Sequence, residues 1–152
     1  MIKLNELMMG LFCRLNKGFY FFKKGQILKV LTITYYQFVT NSVKCEDASG
    51  YVSFFGVDCL DPIPLTEDIL KKIGFEKTML VVPSYILCDN IFTVFAKKIS
   101  DRDWLIDVLK TDFNLPDQSA IVHNVHQLQR WLRFCGIERE IKMSSLTSIN
   151  TY

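Results

Sequence analysis

Residues 61–77 read DPIPLTEDILKKIGFEK, and this stretch divides the chain and sets its class. Asp61-Pro62-Ile63-Pro64 is a stiff connector, because both prolines fix φ and neither can donate a ladder hydrogen bond. Thr66 then stands where a helix N-cap belongs. Glu67 and Asp68 follow in the first turn and Lys71 and Lys72 in the last, each matching the sign of the helix dipole. Gly74 supplies the left-handed stop. Leu65 before the helix and Phe75 after it can both fold onto Leu70. The pattern predicts a short helix closed at both ends.

The chain upstream reads as β. Residues 11–15 are apolar, 19–22 aromatic, 27–39 alternate β-branched and aromatic side chains at period two, and 51–57 read as another strand. Asn16-Lys17-Gly18, Lys23-Lys24-Gly25 and the polar run 44–50 supply turns. A β-rich meander or small barrel is expected over residues 1–60.

Downstream, 79–82 and 85–96 read as strands. Ser100 is expected to cap a second helix over 101–110, with Trp104, Leu105, Val108 and Leu109 as its apolar stripe. Residues 113–118 read as loop and 119–122 as a short strand. A further helix is expected at about 124–135, with Val125, Leu128, Leu132 and Cys135 on its buried face and Gly136 ending it. Residues 137–143 would form a final strand or extension. The expected class is α+β, with the C-terminal helix packed on a second sheet. The divisions are a β-rich subdomain 1–60, an α+β subdomain 61–143 and a flexible tail 144–152; one continuous domain is the alternative.

Two segments carry a resemblance. Residues 61–77 are similar to a "PLTEEIL-x-K-x-GF" signature, and 122–141, VHNVHQLQRWLRFCGIEREI, to a "VHQLQ" helix whose variant ends "LRLCGI-x-KEI". Both belong to small uncharacterised proteins of gut bacteria, their phages and mobile elements. Order and spacing fit from about residue 26 to 143. The start departs: where that family opens with a "RIGNWV"-like strand, only Gly10 is retained here, and the insert around 100–112 is longer. The resemblance implies a β-rich start, a helix, strands and a late helix, in a mobile-element context. It transfers no catalytic residue.

Composition excludes several classes. Of 152 residues, 49% are apolar and 22% charged, which fits neither a disordered chain nor a fibre. The net charge of +2 is too small to imply a polyanionic partner by itself. Residues 1–60 hold seven Lys/Arg and four Asp/Glu, whereas 61–152 hold eleven and twelve, so the basic excess sits at the start. The longest apolar stretch, 79–96, is broken by Pro83, Ser84, Asp89 and Asn90, so no membrane span is expected. No secretory leader is read either, and the expected location is the cytoplasm of a bacterial host.

Chemistry is sparse. Cys13, Cys45, Cys59, Cys88 and Cys135 contain no CxxC pair and read as reduced, mostly buried thiols. His123 and His126 are the only histidines and lack further ligands at helical spacing, so no metal and no cofactor is expected. Neither a nucleophile elbow nor a phosphate loop is present, and no enzyme is expected. Two surfaces remain. His126, Arg130, Trp131 and Arg133 on the last helix form a candidate protein interface, with the residue mix of interface hot spots. Arg14, Lys17, Phe19, Phe21, Lys23, Lys24 and Lys29 form the alternative, a basic aromatic sheet able to stack single-stranded nucleic acid. A non-enzymatic module binding an unknown protein is the first expectation.

Overall fold

The computed structural model describes residue 8 and residues 10–34, 42–79, 83–88, 91–110, 118–138, 141–142, 144 and 146. The class is α+β, and the described residues form two antiparallel five-stranded sheets and two α-helices. Two compact units divide the chain, Met1–Ile63 with Lys142–Tyr152, and Pro64–Ile141.

In the first unit the strands are β1 (Phe12–Leu15), β2 (Ile27–Thr34), β3 (Ser42–Glu46), β4 (Val52–Gly56) and β5 (Leu60–Asp61). They are ordered β4-β3-β2-β1-β5. This is a meander with β5 added beside β1, and the sheet is open. The period-two side chains set the faces. Cys13, Leu15, Leu28, Val30, Val43, Cys45, Phe55 and Leu60 form one buried cluster, joined by Phe22 from a turn. The opposite face carries Arg14, Lys29, Lys44, Glu46, Val52 and Phe54 by register. A bulge between Val30 and Thr32 shifts the β2–β3 register.

Two expectations fail in this unit. Residues 19–22 form a tight turn in place of a strand: the amide of Phe19 and the carbonyl of Phe22 bond at 2.9 Å, as do the reverse pair. The chain reverses there at Tyr20, φ 49°, which no strand tolerates. Residues 42–46, expected in part as turn, are β3, because Val43 and Cys45 both point into the core. The expected strand over 35–39 lies outside the described residues. So does most of the expected tail, although Leu146 within it is buried.

In the second unit the strands are β6 (Glu76–Thr78), β7 (Ser84–Cys88), β8 (Phe92–Lys98), β9 (Trp104–Lys110) and β10 (Gln118–Val122), in sequence order across the sheet. The helices are α1 (Glu67–Lys72) and α2 (Val125–Phe134). One sheet face buries Tyr85, Leu87, Val94, Ala96, Trp104, Ile106, Val108 and Val122. Polar links tie the chain around α1 to that face: the Trp104 indole donates to the Leu65 carbonyl at 3.0 Å, and the Tyr85 hydroxyl to Glu67 Oε2. The amide of Leu65 bonds the His123 carbonyl at 2.9 Å, which fixes the connector beside the entry to α2.

Helix α1 matches its sequence reading at both ends. Thr66 Oγ1 accepts from the Ile69 amide at 3.3 Å. Gly74 has φ 97°, and the Phe75 amide closes onto the Leu70 carbonyl at 2.9 Å. Leu65, Leu70 and Phe75 are all buried. The expected helix over 101–110 is instead strand β9. Ser100 Oγ accepts from the amides of Arg102 and Asp103, which makes a hairpin loop between β8 and β9. The apolar residues fit either period, and the seven-residue ladder from Lys98↔Trp104 to Phe92↔Lys110 decides for strand. Residues 85–96, expected as strand, are the β7–β8 hairpin, with register Cys88↔Thr93 and positions 89–90 outside the described residues. Ile137 and Glu138 carry no strand, and the expected loop over 113–117 and strand over 80–82 also lie outside the described residues.

Candidate functional site

The first candidate lies on α2. Asn124 caps the helix in extended backbone, and Gln127 Oε1 turns back to accept from the His123 amide at 2.8 Å. At the other end Gly136 takes φ 75°, and the Ile137 amide bonds the Leu132 carbonyl at 2.8 Å. The stripe Val125, Leu128, Leu132 is buried, as expected. The exposed face differs from the expected one. His126 is 1% exposed, because the buried arc is wide in the first turns and takes in His126 and Gln129. It is therefore removed from the interface. Arg130 and Arg133 are exposed and Trp131 is half-buried.

Phe134, missed in the sequence, completes the surface. Its ring stacks on Trp131 with centroids 5.4 Å apart and planes 20° apart, and it is 71% exposed. The i, i+3 spacing of Trp131 and Phe134 was the available signal. The Trp131 indole Nε1 is buried without a hydrogen-bond partner among the described residues, so packing holds the ring. Ala120, Ile121 and Val122 of β10 border, together with these rings, a hollow of about 350 Å³, which Gln127 and Arg130 also line. β10 is an edge strand, paired among the described residues with β9 alone. The Lys110 amine lies near the end of the helix, 3.8 Å from the position a Cβ on Gly136 would take.

The second candidate is in the first unit, and the structure redistributes its residues. Lys17 pairs with Asp58 at 3.2 Å, and the amine holds that carboxyl below its usual range. Arg14 lies opposite Asp61 in the β1–β5 register, and Lys29 opposite Glu46 in β2–β3. Lys17 is thus paired with a carboxylate, and Arg14 and Lys29 stand opposite carboxylates by register. Lys23 and Lys24 are exposed in the turn after Phe22. Phe19 and Phe21 are exposed too, at the turn rather than on a sheet face, with Phe21 at 96%. Tyr20, Tyr51 and Phe54 are exposed aromatics the sequence reading missed. Phe19 meets Tyr20 edge-on at 4.6 Å, and Phe22 meets Phe55 at 5.1 Å. Between this turn and residues 47–53 lies a groove of about 600 Å³.

The remaining chemistry is structural. The Cys13 thiol is pushed well up by its hydrogen bond with Cys45 and by burial. Burial likewise raises Cys135, so neither is a ready nucleophile. Cys13, Cys45 and Cys135 are buried, Cys59 is half-buried and Cys88 exposed, so the thiols are mostly buried as expected. His123 Nδ1 sits 2.7 Å from Asp103 Oδ1 at the surface. Glu67, Asp68, Asp101 and Lys98 border a third hollow of about 330 Å³ near the start of α1. There Glu67 is already engaged by the Tyr85 hydroxyl, which holds its carboxyl below the usual range. No group of three or more potential metal ligands occurs among the described residues. No helix among them is long and apolar enough to cross a membrane.

No protein-family profile, curated protein or solved structure matches this chain.

Proposed function

We propose that the chain is a non-enzymatic protein-binding module that receives an extended segment of its partner along β10. The observation that carries this reading is the stacked Trp131–Phe134 pair beside β10, a sheet edge that pairs among the described residues with β9 alone. An edge strand offers unpaired backbone groups, and a neighbouring pocket for alternate side chains adds specificity. An apolar side chain of the partner enters the hollow against Trp131 and Phe134. Arg130 in the lining and Lys110 nearby favour an acidic residue beside that anchor. The resemblance to proteins of gut bacteria, phages and mobile elements supports reading the module as an accessory protein in a bacterial cytoplasm.

A displayed library of random peptides tests the reading. Enriched peptides should carry apolar residues at alternate positions next to Asp or Glu. Trp131→Ala or Phe134→Ala should weaken them at least about tenfold, as for hot-spot residues. A library without enrichment, or binders indifferent to both substitutions, would rule it out.

A further inference from the structure

We infer that the first unit carries a separate site for single-stranded nucleic acid, in the groove between the turn of residues 19–22 and the β3–β4 hairpin. Tyr20, Phe21 and Tyr51 border this groove and are 88%, 96% and 71% exposed. Rings this exposed contribute little to a core. They are free to stack on bases, which every base permits through its π-face.

The backbone points the same way. Tyr20 is the non-glycine residue with positive φ among the described residues, at 49°. A bulky residue in that region is strained, and glycine would adopt it without cost. The turn therefore holds an aromatic where folding alone favours a smaller residue, and such strain concentrates at ligand sites.

Charge selects the ligand class. Lys23 and Lys24 have no carboxylate partner among the described residues, in contrast to Lys17. The backbone of Lys23 is tied to the groove wall through its amide, which donates to Gln26 Oε1 at 2.9 Å; Gln26 Nε2 in turn donates to Asp47 Oδ2 at 2.8 Å. Asp47 lines the groove and is the one carboxylate there, but its other oxygen accepts from the Ser49 and Tyr51 amides. Those bonds satisfy both oxygens, and they hold the hairpin tip in place. Stacking rings beside two uncompensated ammonium groups suit a polyanion with flat bases. A neutral glycan would use the rings and leave the lysines without a role. The site is sequence-tolerant, because stacking uses the π-face that every base presents.

Fluorescence anisotropy with labelled oligothymidylate and oligouridylate of about 12 nucleotides tests the inference. Binding of either at about 10 µM or tighter near physiological salt is expected, and the two arms show whether DNA or RNA is preferred. Phe21→Ala and Tyr51→Ala should each weaken it at least about fivefold at every salt concentration. Lys23→Gln with Lys24→Gln should lower the magnitude of the log–log salt slope by about 1.4, or about 0.7 for each phosphate that is no longer neutralised. Trp131→Ala, in the other unit, should leave it unchanged. All four side chains are exposed or nearly so, and unchanged melting curves confirm that the variants fold. Absence of oligonucleotide binding, binding indifferent to both aromatic substitutions, or binding of a soluble neutral polysaccharide in its place would overturn the inference.

Discussion

The two units are built on the same element, a five-stranded antiparallel sheet with an apolar face in the core, and they finish it differently. The second unit covers its face with helices whose ends are locked by caps and by polar links from Tyr85 and Trp104. The first gathers its core beneath a short turn, where Phe22 and Phe19 meet Phe55 edge-on at 5.1 and 6.2 Å. One cover is specified locally and leaves the Phe134 ring exposed on α2. The other depends on rings that meet across the sequence, and it leaves Tyr20 and Phe21 outside. The lesson is that either way of finishing such a sheet leaves aromatics exposed, Phe134 on the helix of one unit and Tyr20 and Phe21 on the turn of the other.

The sharpest way to break this contrast is to remove the ring on which the turn rests. Phe55 is 3% exposed, and Phe55→Ala should cost about 3–5 kcal/mol. Leu70→Ala, beneath α1, should cost about 2–4 kcal/mol, since Leu70 is fully buried. Chemical denaturation measures both. A loss below about 1 kcal/mol for Phe55→Ala, on the scale of an exposed site, would show that the turn does not seal the first core.

A smaller effect examines the polar lock of the second unit. Tyr85→Phe should cost roughly 1.5–3 kcal/mol at neutral pH, the range for a hydrogen bond to a charged acceptor. The Glu67 carboxylate pushes the Tyr85 hydroxyl from 10.0 up to about 12. A raised value contributes stability that is complete below about pH 10 and lost as the pH climbs toward about 12. The depressed Glu67 carboxyl works in the opposite direction, and its share is lost as the pH falls through its lowered value. Wild type and Tyr85→Phe should therefore converge at both extremes. A gap constant from acid to alkali would remove the hydrogen bond as its cause.

The smallest effect probes the turn itself. Tyr20→Gly relieves the φ of 49°, so stability should rise or hold within about 1 kcal/mol. Calorimetry reads the change. A clear fall in melting temperature would mean that the Tyr20 ring, through its contact with Phe19, supports the fold more than its exposure suggests.

Local signals were legible and competing ones were not. Thr66, Gly74 and the charges between them act within one turn of helix, so DPIPLTEDILKKIGFEK could be read without knowing any partner. The β10 strand and α2 were readable for similar reasons. Residues 101–110 were not, because Trp104, Leu105, Val108 and Leu109 fit a helix stripe, while the buried Trp104, Ile106 and Val108 fit a strand equally well. At the candidate sites, Arg130, Trp131, Phe19 and Phe21 were visible as residue types. Their grouping was hidden, since His126 is buried and Phe134, Tyr20 and Tyr51 are brought in by folding.

By itself the sequence determined the α+β class, the capped helix and its connector, the buried stripe of α2 and the basic aromatic character of the first third. These rest on periodicity, turn chemistry and capping, which act over a few residues. Only the tertiary structure decided that Ser100 opens a hairpin, that Arg14, Lys17 and Lys29 face carboxylates, and that a stacked pair lies beside β10. Strand pairing joins residues far apart in the chain, and its many hydrogen bonds and buried contacts outweigh the few tenths of a kcal/mol per residue by which local propensity differs.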